Sequence, residues 1–137
     1  TSNIPLQAIF VPIQGDDLIA NATMLGNSWW YSDWFGPFWH RDGDLWIYHA
    51  PLGWVYLIPE ESTSSLWFWV DYLSGWQWTS STVFPHIRGH TLSNWYWFNK
   101  EKSTQANRLF FEYNDAKKYR IIEIKFAHTG RAYRRIF

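Results

Sequence analysis

The chain contains no cysteine, so disulfides, thiolate metal sites and cysteine nucleophiles are excluded. No stretch approaches the roughly 20 apolar residues of a membrane-spanning helix, and no membrane span is expected. It carries no net charge, with 12 basic and 12 acidic side chains. It opens at Thr1 with no basic-then-apolar leader, as a mature secreted chain does after signal removal and as a trimmed chain also would. A nucleophile elbow and a glycine-rich phosphate loop are missing, and no His-Asp-Ser order is worth defending. No enzyme activity and no cofactor are expected.

The zero net charge hides an asymmetry. Residues 1–60 hold six acids and only Arg41 as a base, whereas residues 117–137 hold seven bases and only Glu123 as an acid. A basic end of this kind meets something acidic: an anionic polymer, the chain's own acidic half, or the acidic half of a neighbour. Its Lys and Arg interleave with aromatics, as nucleic-acid binders do. Apolar alternation at Ile122, Ile124 and Phe126 fits a strand equally well and the rest of the chain is acidic, so nucleic acid is not an expected partner.

What the chain has in excess is aromatic: 22% of its residues, including 12 tryptophans. Five of these fall within the 29 residues of LGWVYLIPEESTSSLWFWVDYLSGWQWTS, from Leu52 to Ser80. Short aromatic and β-branched segments separated by turn residues read as antiparallel strands. They include LWIYH, WVYLI, LWFWV, WQWTSSTVF, WYWFNK, LFFEY and YRIIEIKF. Turns are expected at Gly36-Pro37, at Arg41-Asp42-Gly43-Asp44, at Ala50-Pro51-Leu52-Gly53 and through Ser74-Gly75. Residues 59–65 and 85–93 read as loops. Residues 16–25 (DDLIANATML) have helix-compatible spacing with acids at the start and Gly26 as a stop. Pro5 and Pro12 bracket LQAIFV, which suits a short strand near a sheet edge. The expected fold is all-β: antiparallel hairpins, as a sandwich or hairpin-repeat array, with a Trp-rich core and at most one short N-terminal helix. One domain of 137 residues is expected, comprising an arm over 1–28, a Trp-rich β module over 29–116 and a basic strand or tail over 117–137.

Six pairs share a ring-x-ring form: Trp46/Tyr48, Trp54/Tyr56, Trp67/Trp69, Trp76/Trp78, Trp95/Trp97 and Phe111/Tyr113. In a strand, residues i and i+2 point to one side, so each pair sets two rings on one face. The residues between and beside them (Ile47, Val55, Phe68, Val70, Tyr96, Phe98) are apolar too, as in strands covered on both faces. A small domain needs large side chains for its core, so most indoles are expected inside. The surplus is expected to line grooves or an interface, where sugar rings, cationic groups or another subunit cover exposed aromatics. Leu45-Trp46 recurs as Leu66-Trp67 after 21 residues and Gly53-Trp54 as Gly75-Trp76 after 22, a period of about one hairpin.

The order SDWFGPFW, LWIYHAPLGWVYL, SLWFWVDYLSGWQWTSSTVFPHI, NWYWF and NRLFFEY resembles an uncharacterised Trp-rich module of secreted bacterial proteins, often placed at the end of larger surface proteins. The resemblance spans roughly residues 29–113. It implies extracellular surface association and no particular activity. A looser similarity links the chain to choline- and glucan-binding hairpin repeats, although the gaps from Trp54 to Trp67 and from Trp67 to Trp76 depart from their period.

Other chemistry has weaker support. His86 and His90 are spaced as metal ligands on a helix, but Pro85 and Gly89 oppose a helix, and no metal is expected. Asp42-Gly43-Asp44 reads as a turn, since a calcium loop needs more oxygen ligands. Asp71, Glu101, Glu112 and Glu60-Glu61 are available as carboxylates, but a glycosidase needs two of them facing across a cleft. Two functions remain. One is a non-catalytic, secreted cell-surface module whose Trp54, Trp67, Trp69, Trp76 and Trp78 stack on an extracellular polysaccharide or envelope polymer, with Arg120, Lys125, Arg131, Arg134 and Arg135 as polymer or subunit contacts. The other is a structural subunit that self-assembles into a homo-oligomeric layer or fibre through head-to-tail acidic and basic contacts and its N-terminal strand arm.

Overall fold

The structure, a computed structural model, describes residues 11–58, 64–73, 75–90, 93–114, 117–126 and 132–136. All of the LQAIFV strand except Val11 lies outside these residues, as do Glu60-Glu61, Arg131 and the side chain of Arg135.

The described residues form one antiparallel sheet of 12 strands in which every strand pairs with its sequence neighbours. The strands are β1 (Thr23–Gly26), β2 (Trp29–Ser32), β3 (Gly36–His40), β4 (Trp46–His49), β5 (Gly53–Ile58) and β6 (Ser65–Trp69). They continue as β7 (Trp76–Ser80), β8 (His86–Gly89), β9 (Asn94–Phe98), β10 (Asn107–Asn114), β11 (Tyr119–Phe126) and β12 (Ala132–Ile136). One short helix, α1 (Gly15–Leu18), precedes them, and a 3₁₀ turn at Asp71–Leu73 joins β6 to β7. The chain is therefore all-β and built of hairpins. Of the two arrangements expected, it is the array of successive hairpins, joined in one continuous sheet. The two copies of the sequence repeat fall on successive hairpins, β4–β5 and β6–β7.

Three local expectations change. The helix expected over 16–25 stops after Leu18, and residues 23–26 are strand. Asn27 and Ser28 both take positive φ (53° and 66°), as the two central residues of a type I′ hairpin turn must. That turn claims Met24 and Leu25 for the sheet. The turn expected at Gly36-Pro37 sits earlier, at residues 33–35, where the Ser32 hydroxyl accepts from the Phe35 N–H at 3.1 Å. The loop expected over 85–93 contains β8, whose Ile87 is buried in the core. A methyl group on Gly89 would stand 2.2 Å from Asn94 Oδ1, so this glycine marks a close approach between strands rather than a break.

A sheet this wide curls, and here it closes over its own inner face. Arg108 on β10 donates from Nε to the Pro51 carbonyl at 2.9 Å. The Tyr72 hydroxyl donates to the Leu52 carbonyl, and Tyr96 on β9 reaches the Leu73 carbonyl at 3.4 Å. Between the halves lie Phe38, Ile47, Val55, Leu57, Phe68, Ile87, Tyr96, Phe98, Phe110, Ile122 and Ile124, all buried.

The core corrects the expectation that most indoles are internal. Trp30 alone among the tryptophans belongs to the buried set. Gly15 makes room for it, since a Cβ there would come within 2.3 Å of the indole. Strand alternation turns most of the others outward. On the concave side of a curled sheet, side chains converge and medium-sized ones pack to crystal-like density. On the convex side they splay, and wide rings fill the gaps.

Candidate functional site

All six ring-x-ring pairs lie on the convex face, half-buried or exposed. Strand register aligns them into rows. Trp29, Trp39, Tyr48 and Trp54 sit opposite one another from β2 to β5. Trp46, Tyr56, Trp69 and Trp76 form the next row, from β4 to β7. Trp67 and Trp78 lead the third, which crosses Arg88 to Trp95, Tyr113 and Tyr119.

Most ring contacts along the rows are edge-to-face. Trp46 and Tyr56 lie 5.2 Å apart, Tyr48 and Trp54 5.4 Å, and Trp69 and Trp76 5.6 Å between centroids. That arrangement meets the quadrupole preference of aromatic pairs, and each cross-strand pair contributes roughly 0.2–1 kcal/mol. The Arg88 guanidinium stands 5.5 Å from the Trp95 centroid, within cation–π range. The ladder leaves ring surfaces toward solvent, most of all at Trp54 and Trp97.

Two of the hollows on this face bear on ligand binding. The first is a groove of about 430 Å³ walled by Trp39, Trp46 and Trp54, with Arg41, Asp44 and Asp71 at its margins. Trp54 is 54% exposed, the most open indole described, and its ring meets Trp39 edge-on at 6.2 Å. Asp44 accepts from the Trp46 N–H at 3.1 Å and pairs with Arg41 at 3.0 Å. The Trp46 N–H, followed by Arg41, holds its carboxyl below the usual value of 3.8 despite some desolvation, so it stays an ionised acceptor. Asp71 accepts from the Trp69 indole N–H. The second is an open dish of His86, Trp97, Phe111, Tyr113 and Tyr119, in which Phe111 and Tyr119 stack at 5.6 Å.

The five tryptophans singled out in the sequence all reach this face, but only Trp54 lines the groove. Trp69 and Trp76 meet each other in the adjacent row, and Trp67 faces Trp78 across β6–β7 and meets the His90 ring at 5.6 Å. Trp39, Trp46, Arg41 and Asp44 escaped selection because they precede the densest Trp run. The recurrence of Leu45-Trp46 was the available signal. His86 and His90 lie four residues apart along extended chain rather than on one helix face, and their rings meet different neighbours, Tyr113 at 6.5 Å and Trp67 at 5.6 Å.

The basic residues have partners close at hand. Arg120 and Arg134 both pair with Glu112, the latter at 3.4 Å, and Lys125 pairs with Glu123 at 3.6 Å. These acids are on β10 and β11, not in the acidic first half. Glu112 is nearly buried and also accepts from Asn94 Nδ2 at 2.6 Å. Glu112→Ala removes the buried acceptor of Asn94 Nδ2 and the carboxylate that Arg134 and Arg120 share, while half-exposed Arg120 rehydrates. The expected loss is about 2–3 kcal/mol in urea unfolding; a change below about 0.5 kcal/mol would show the cluster to be decorative.

Among the described residues no helix is long and apolar enough to cross a membrane. No family model, curated protein or solved structure matches this chain.

Proposed function

We propose that the chain is a non-catalytic, secreted cell-surface module whose convex aromatic face binds an extracellular polysaccharide. The observation that carries this reading is the groove in which Trp39, Trp46 and Trp54 stand beside Arg41, Asp44 and Asp71. Saccharides present flat C–H faces edged by hydroxyls. Indoles take the faces, and a few placed polar groups take the hydroxyls and fix orientation. The rows beyond the groove continue the ring surface through Trp69, Trp76, Trp67 and Trp78, which suits a polymer better than a single sugar. Ionised Asp44 serves as an acceptor; a glycosidase acid needs its carboxyl raised instead.

The test is calorimetric titration with cellohexaose, xylohexaose, chitohexaose and laminarin, beside Trp54→Ala. At least one glycan is expected to bind, and Trp54→Ala to weaken it tenfold or more, since a central aromatic anchor contributes about 2 kcal/mol or more. Binding that survives the substitution would move the site elsewhere.

A second reading, self-assembly, has its own observation. Among the described residues no strand pairs with the outer edge of β1 or of β12, and Met24, Leu25 and Ile136 there are exposed. Open edges invite strand addition. Assembly of that kind would resist salt, whereas head-to-tail charge contacts are screened by it. Light scattering over a range of concentration and ionic strength separates the two.

A further inference from the structure

We infer that the chain holds a second site, a cavity that takes a small organic anion with a flat apolar body. The cavity, about 460 Å³, lies where the tip of the β2–β3 hairpin and the β4–β5 turn meet the β9–β10 loop. That volume falls within the usual range for ligand pockets, about 300–1,000 Å³. Phe35, Pro51, Phe84 and Phe98 supply apolar wall, and Arg108 and Lys100 are its cations.

Arg108 carries the inference. It is 2% exposed, and an arginine keeps its charge in a folded protein. Buried charges are normally paired with an opposite one. The partners of Arg108 are all neutral: the carbonyls of Pro51, Gln105 and Ala50, and the Phe126 ring 4.7 Å from its guanidinium carbon. No described carboxylate forms an ion pair with it. These three bonds leave two of the five guanidinium N–H groups unspent. The rings on the walls cannot neutralise the charge; a bound anion can.

Trp34 is the independent second observation. It lines the same cavity, and its indole N–H is buried without a partner. A buried donor of this kind calls for an acceptor. A carboxylate or sulfonate between the two satisfies both, with Lys100 adding attraction at the margin. Asp33, also in the lining, sets a limit on ligand charge and favours a monoanion.

The test titrates the full chain calorimetrically with 1-naphthoate, 1-naphthalenesulfonate and the neutral 1-naphthalenemethanol. One anion per chain is expected to bind, and the alcohol at least tenfold more weakly. Trp34→Phe keeps the ring and removes the donor; it is expected to weaken the anions about fivefold without lowering Tm. Arg108→Met is expected to abolish binding, and because it strands three carbonyls its folding is checked by circular dichroism. The alcohol matching the anions, or neither anion binding at millimolar concentration, overturns the site.

Discussion

Phe68→Ala is expected to lower stability by about 3–5 kcal/mol, whereas Trp54→Ala, the loss of a larger ring, is expected to cost less than about 1 kcal/mol. Phe68 is wholly buried and meets Phe35 edge-on at 6.5 Å across the fold. Removing its ring leaves a cavity that strands on either side cannot collapse into. Trp54 is more than half exposed and contributes edge contacts with Tyr48 and Trp39. Urea unfolding should show a lower midpoint for Phe68→Ala at unchanged slope and a near-normal midpoint for Trp54→Ala. The reverse order would put the tryptophans back in the core.

Acid is expected to unfold the chain from a higher pH than its carboxylates alone would set. His49 is fully buried, stacked on Phe35 at 3.8 Å, with Nε2 bonded to the Phe35 carbonyl and Nδ1 accepting from the Leu52 N–H. Burial pushes its pKa down from 6.5 to about 3; the Phe35 carbonyl opposes this, and the positive charges of Arg108 and Lys100 add to it. The folded ring therefore stays neutral where the unfolded one takes up a proton. Its contribution is complete above pH 6.5 and is lost as pH falls toward 3. The slope is about 1.4 kcal/mol per pH unit, and the sum is on the order of 4–5 kcal/mol. Asp44 adds its own loss only as pH drops through the unfolded carboxylate value of 3.8. The window from pH 6.5 to 5 is thus the informative one. Urea midpoints should fall steadily across it in the wild type and less in His49→Gln. A flat profile in the wild type would mean that His49 is not buried neutral.

The sequence made the strands legible, because Trp-x-Trp and Trp-x-Tyr spacing admits one geometry and the ring pairs do share a face. Which face was inner was not legible. In LWFWV both alternating sets are apolar, so hydrophobicity cannot set the phase. Side-chain size sets it, through a curvature that emerges only once 12 strands are joined. Local turn chemistry was readable but misweighed at residues 26–28, where Gly-Asn-Ser outweighs the helical spacing before it. β8 was hidden for another reason: with Ile87 as its only large apolar residue, HIRG becomes a strand through its neighbours. Of the aromatic groove, Trp54 was visible and Trp39 and Asp44 were not, since they join it across strands. The cavity at Arg108 had no sequence signal at all, because Ala50, Pro51 and Arg108 are brought together only by closure of the sheet.

The most direct measurement is fluorine NMR of the chain labelled with 5-fluorotryptophan, each resonance assigned by single Trp→Phe substitution, during titration with the glycan that binds most tightly. Trp39, Trp46 and Trp54 should shift together and saturate at one affinity, while Trp30, enclosed beside Gly15, stays still. Movement of Trp30 with the groove indoles at rest, or no movement with any glycan of the panel, would contradict the aromatic face as a polysaccharide site.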